Sequence, residues 1–187
     1  MVRMMIILLA AVMAAMAGTA GAAVSPTPQP LSLQDRDFLI LAHQGSLSEI
    51  EAGLAVRERV GEEGEGQVGR AVRELAKQLV VDHMRLDKVI RQVAGELGVK
   101  LPGEPSAAQR ERLEAVMALR GAEFDRAWIS MEIDNHRQAL VLVKKQVESG
   151  SAPQVRKLAL TAEHVVRNHL NMFLRAREVP VPSPSGS

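Results

Sequence analysis

The chain of 187 residues contains no cysteine. That removes disulfides, a thiol nucleophile, thiolate-held zinc or iron–sulfur clusters and a lipid-anchored N-terminal cysteine. Tyrosine is absent too, and three Phe with one Trp leave aromatics at 2%. Base-stacking nucleic-acid modules and aromatic-rich β-sandwiches are built from residues this chain lacks. An excess of one charge is also missing. Lys plus Arg number 23 against 22 for Asp plus Glu, so no net field exists to hold nucleic acid or an anionic membrane, and no nucleic-acid partner is expected. Catalytic signatures are wanting as well. There is no G-x-S-x-G, Walker loop or H-E-x-x-H. The glycine-rich stretch 61–66 is acidic and lacks lysine, so it would repel phosphate. The chain is therefore not expected to be an enzyme.

What remains is Ala, Leu, Val, Glu and Arg, the composition of long helices. Residues 1–22 place Arg3 ahead of an apolar run and close on Ala20, Gly21 and Ala22, the pattern of a secretory signal peptide. The apolar part, Met4 to Met16, is 13 residues, short of the roughly 20 that a spanning helix needs. The expectation is export with cleavage near Ala22, a periplasmic or secreted protein, and no membrane span afterwards. Residues 23–34 hold three prolines and no charge, and read as an extended linker. Residues 179–187 form a Pro/Ser-rich tail that cannot be helical.

Between them, 35–178 reads as one domain punctuated at 61–66, 98–105 and 149–153. Four helical stretches are expected, about 35–60, 67–97, 107–148 and 153–177, the third bending near Gly121. Ser106 and Gln109 have capping-box spacing at its start. Short turns favour antiparallel neighbours, so the simplest closure is an all-α, up-down-up-down four-helix bundle with a kinked third helix. Val72, Ala76, Leu79, His83, Leu86, Ile90, Val93 and Leu97 keep to one face of the second helix. Val155, Leu158, Ala162, Val165, His169, Met172 and Ala176 do so on the fourth. A faint internal repeat relates 72–76 to 155–159.

These stripes carry polar residues. His83 and His169 stand at core-facing positions, Glu132 and His136 lie one turn apart on the third helix, and Glu49 sits among small residues on the first. Glu49 and His83 are nearly equidistant from the first turn, and His136 and His169 from the third. The four therefore converge in one layer near mid-height. Two readings stand: a hydrogen-bonded network that fixes helix register, and a site for one divalent metal held by Glu49, His83, His136 and His169. Imidazole suits zinc, copper, iron or nickel, and the spacing does not choose among them. His43 and His164 fall beside the stripes and are expected at the surface or partly buried. Met131 and Met172 read as core filler.

Several segments together resemble a known group. They are Asp37-Phe38-Leu39 with Glu49-Ile50, Val80-Val81-Asp82-His83, the run 121–128 that opens the third helix, His136 and His169-Leu170. Over about 35–176 the chain resembles the bacterial exported, ferritin-like domain of unknown function four-one-four-two, a group also labelled predicted outer membrane proteins. The resemblance implies a ferritin-like bundle and no established activity. Di-iron bundles need a carboxylate three residues before each motif histidine, and here Val80 and Val166 stand in those places. Ferroxidase or oxygenase chemistry is thus not expected. A single ion (zinc, copper or iron) fits better, with Glu132 and Asp82 behind the ligands as orienting groups. The leading expectation is a non-catalytic binding or stress-related module with a buried Glu/His cluster; metal binding through that cluster is the alternative.

Overall fold

A computed structural model describes residues 30–63 and 68–178. The expected signal peptide, most of the linker and the tail lie outside the described residues. Five helices follow: α1 (Leu33–Glu63), α2 (Arg70–Glu96), α3 (Ala107–Met117), α4 (Gly121–Ser149) and α5 (Pro153–Glu178). No strand occurs among the described residues.

Local chemistry sets the breaks. Gly98 adopts φ +66° just beyond α2. There the Val99 amide donates to the Ala94 carbonyl at 2.8 Å and the Gly98 amide to Gly95 at 3.2 Å. That pair of bonds is the Schellman motif, which satisfies carbonyls left over at a helix end. Ser106 caps α3: its hydroxyl accepts from the Gln109 amide, and the Gln109 side chain accepts from the Ser106 amide at 2.8 Å. The bend expected near Gly121 is a complete break. Residues 118–120 leave the helix and Gly121 takes φ +52°, a value reached without strain only by a residue lacking Cβ.

Four long helices form the bundle, as expected, but the third does not run in the expected direction. Phe124 and Trp128, at the start of α4, share a core with Val72 and Leu75 at the start of α2 and Phe173 near the end of α5. Val143, near the end of α4, packs instead with Val93 and Ala94 at the end of α2 and Val155 at the start of α5. So α2 and α4 run parallel, and the path is up, down, down, up. The up-down-up-down order assumed a short turn between the second and third long helices. Residues 97–120 form instead a crossover over the height of the bundle, with α3 inside it. One long crossover is the ferritin-like connection.

Each end is pinned. At one, Asp125 accepts the Gly69 amide at 2.9 Å. There Arg59 stacks 4.2 Å from the Phe124 ring centroid and donates to the Leu119 carbonyl at 2.8 Å and to that of Met117. At the other, Asp35 accepts from Gln146 Nε2 at 2.5 Å and from the amides of Ser151 and Ala152 at 3.1 and 3.0 Å. The repeat segments 72–76 and 155–159 bury the same positions, Val72, Leu75 and Ala76 matching Val155, Leu158 and Ala159, each at the start of the second helix of a hairpin. The α1–α2 and α4–α5 hairpins pack closely. The α1–α4 seam is looser, and α3, which buries none of its residues fully, lies along it.

Candidate metal centre

Between the two apolar cores lies a polar layer. His83 and His136 fall at the midpoints of α2 and α4, and Glu49 and His169 within about a turn of the midpoints of α1 and α5. All four are buried, as is Glu132. The four residues singled out from the sequence thus occupy one level. The ring centroids of His83, His136 and His169 lie 5.3 to 5.8 Å apart. One nitrogen from each of these rings falls within 4.8 Å of the other two, and one donor atom each from Glu49, Glu132 and His136 forms a second such group.

Hydrogen bonds assign the tautomers. His136 Nδ1 lies 2.8 Å from the Glu132 backbone carbonyl, which only an N–H can satisfy. Its Nε2 therefore carries a lone pair. His169 Nε2 lies 3.0 Å from the Asp82 carboxylate, so in the neutral ring its Nδ1 carries the lone pair. These two lone-pair nitrogens face each other at 3.4 Å. Two acceptors so placed gain nothing from each other. The separation matches the roughly 3.3 Å between two nitrogens on a tetrahedral ion with metal–nitrogen bonds of about 2.05 Å. His83 stands beside them with neither ring nitrogen bonded.

Among the described residues, six buried side-chain nitrogen and oxygen atoms lack a hydrogen-bond partner: Glu49 Oε2, both nitrogens of His83, both carboxylate oxygens of Glu132, and Trp128 Nε1. Five of the six are in this layer; the Glu132 carboxyl lies beside the Glu49 carboxyl and the Asn135 side chain, but His83 is bonded through neither nitrogen, so the network that would fix register is not closed.

Burial dominates the proton chemistry. It depresses His83 to about 3, with the His136 and His169 rings adding to the shift against the opposing Glu49 and Asp82 charges. Burial also lowers His136, helped by His169. His83 and His136 are thus held neutral, the form that binds metal. For Glu49, burial pushes upward, but His136, the Glu132 carboxyl, His83 and His169 outweigh it and hold it below its ordinary value. Glu132 is pushed well above its ordinary value by burial and then by the Glu49 charge. Of the two carboxyls, Glu132 is the one whose protonated form burial favours.

Asp82 orients His169 through its side chain, whereas Glu132 orients His136 through its backbone carbonyl. The Glu132 carboxyl lies among the donors, beyond the orienting role expected of it. His43 is buried, not at the surface or half covered. Its ring nitrogens lie 2.5 Å from Asp87 Oδ1 and 2.9 Å from the Pro102 carbonyl. Asp87 stands one turn beyond His83 on the same stripe, a signal the sequence held. His164 is exposed. Met131 packs in the core with Trp128 and Phe173, and Met172 packs against it.

The model of a family described as a domain of unknown function (DUF4142) matches residues 20–175. Among solved structures the chain is similar to a crystal structure of a DUF305 fragment from Deinococcus radiodurans. The TM-score is 0.66 and the identity 17%, over 79% of this chain and 97% of that one. At that identity the likeness is one of fold. No curated protein matches.

Proposed function

The chain belongs to the DUF4142 family, and we propose that this member is an exported, non-catalytic helical bundle that holds one divalent metal ion on His83, His136, His169 and Glu49. The observation that carries the reading is three buried imidazoles with one nitrogen each within 4.8 Å of the other two, His83 bonded through neither of its own. Such an arrangement is costly when closed over nothing and favourable around a cation. Three imidazoles and a carboxylate suit zinc, copper or iron. A single ion is the better count, because the second donor group shares His136 with the first and His136 Nδ1 is already committed to the Glu132 carbonyl. Export is supported by the charged start, apolar run and small-residue close of residues 1–22. No described helix is long and apolar enough to cross a membrane.

The test is elemental analysis of untagged protein after incubation with zinc, copper or ferrous iron, beside a His83→Ala variant. About one equivalent is expected in the wild type and none in the variant. At free metal near 100 times Kd, linkage adds about 2.7 kcal/mol, a rise in Tm of roughly 5–10 °C for a domain of this size. Absence of stoichiometric metal together with an unmoved Tm defeats the reading. The mass of the same protein, taken from the periplasm or medium, should lack residues 1–22; retention of Arg3 would refute export with cleavage.

A further inference from the structure

A cavity of about 270 Å³ opens along the α1–α4 seam beneath α3 and runs inward until it meets Glu49, His83 and His136. Its walls are apolar, made by Leu86, Leu142, Val143, Ala162 and Val166. Its mouth is polar. There α3 contributes Gln109 and the exposed Arg112, and α4 contributes Gln138. No hydrogen bond or ion pair engages the Arg112 guanidinium among the described residues. Glu49, at the inner end, is the one acid in the described lining.

Two further observations show built space. Gly45 lines the cavity, and a Cβ added there would meet nothing within 4 Å. Eight residues along α1, a Cβ on Gly53 would lie 2.5 Å from Val80 Cγ2 and 2.8 Å from the Ala76 carbonyl. The α1–α2 seam is thus shut by contact, while the α1–α4 seam is held open and roofed by a short helix that buries none of its residues fully.

We infer that this cavity is a binding site for a small carboxylate with an apolar body, such as a short fatty acid, whose head completes the coordination of the metal at Glu49, His83 and His136. The inference rests on the metal reading. The volume lies below the roughly 300–1,000 Å³ of pockets for larger organic ligands, so the guest is small. The walls select a hydrocarbon chain. The floor selects the head: a divalent ion held there takes a carboxylate oxygen as a ligand. Arg112 at the entrance favours an anion. With four protein donors in place the head would be a fifth ligand, and zinc-type ions expand from four to five coordinates to admit an exogenous oxygen.

The probe is hexanoate, titrated into cobalt(II)-loaded protein and followed by the visible absorption of the ion. A saturable spectral change is expected. Gly45→Leu fills the cavity and removes glycine's helix penalty. It should bind cobalt with unchanged stoichiometry and lose the hexanoate response. Arg112→Glu, on the exposed roof, should keep cobalt and weaken hexanoate by roughly fivefold, the effect of a partly screened charge. A wild-type spectrum unmoved by hexanoate at full cobalt loading overturns the inference and leaves the metal reading standing. So does a Gly45→Leu protein that answers hexanoate as the wild type does. Failure to load cobalt overturns both.

Discussion

Asp35 and Glu49 are carboxylates buried on the same helix, about four turns apart. Asp35 accepts from the Ser32 hydroxyl at 2.6 Å, from Gln146 Nε2 and from the amides of Ser151 and Ala152. Glu49 Oε2 has no partner, and neither do the Glu132 carboxyl oxygens or the His83 nitrogens around it. The His43–Asp87 pair, also buried, is closed like the first: His43 meets a carboxylate and a carbonyl, and Asp87 is joined by Arg91 at 3.0 Å. A polar cluster that serves only to hold helices in register ends with its hydrogen bonds made, because each unmade bond works against the fold. The layer at the waist departs from that rule most plainly at His83, where neither ring nitrogen is bonded. This separates the clusters that serve the fold from the one arranged for a guest.

The contrast breaks or sharpens under mutation. Asp35→Ala strands Gln146 and two backbone amides. It should destabilise the protein by about 3 kcal/mol, read as a Tm lower by roughly 10 °C, with metal affinity unchanged. At the waist the sign reverses. His83→Leu replaces an imidazole without hydrogen bonds by an apolar group of similar size. The metal-free protein should gain about 1 kcal/mol and lose its Tm response to zinc. A destabilised apo His83→Leu protein would show the waist to be a closed structural network after all. The smallest effect is in pH. Burial alone would raise Asp35, but Ser32, Gln146 and the amides of Ala152 and Ser151 together hold it below 3.8. Its contribution is therefore present above pH 3.8 and lost as pH falls through the lower, folded-state value. The gap in denaturant midpoint between wild type and Asp35→Ala should be constant from pH 7 to 5 and close below pH 4.

The waist was legible in the sequence for a geometric reason. A residue at the midpoint of a helix stays at the same level when the helix is turned end for end. The level of Glu49, His83, His136 and His169 therefore did not depend on the direction of α4, which spacing alone could not supply. Direction depends on whether 97–120 is a turn or a crossover, and the apolar stripe of α3 (Leu113, Val116 and Met117) is about one turn long, too short to mark it as separate. The stripes of α2 and α5 were readable because their inward faces are mostly hydrocarbon. On α5 the buried positions drift to Val166 and Phe173, one residue beyond the counted Val165 and Met172, as a straight helix does against a strict 3/4 count. α1 was harder. Its inward face carries Asp35, His43, Ser46, Ser48, Glu49 and Arg59, so hydrophobicity gives little phase, and from spacing His43 reads as a flanking residue. The Glu132 carboxyl was placed behind the ligands because residues four apart on one helix cannot be ranked in depth from spacing. The cavity left no sequence trace beyond Gly45.

The crossover has a consequence for how the molecule opens. A helix of 11 residues with none fully buried is too short to persist alone in water. It is held by its cap at Ser106, by Leu113, Val116 and Met117 packed against the core, and by the Arg59 latch on the carbonyls of Met117 and Leu119. The four long helices would need to come apart together, but this roof can peel away with the bundle intact, as an independent low-energy unit of unfolding. The threshold for admitting a molecule from outside is then set by one arginine and one capping serine, far from the histidines that would greet it.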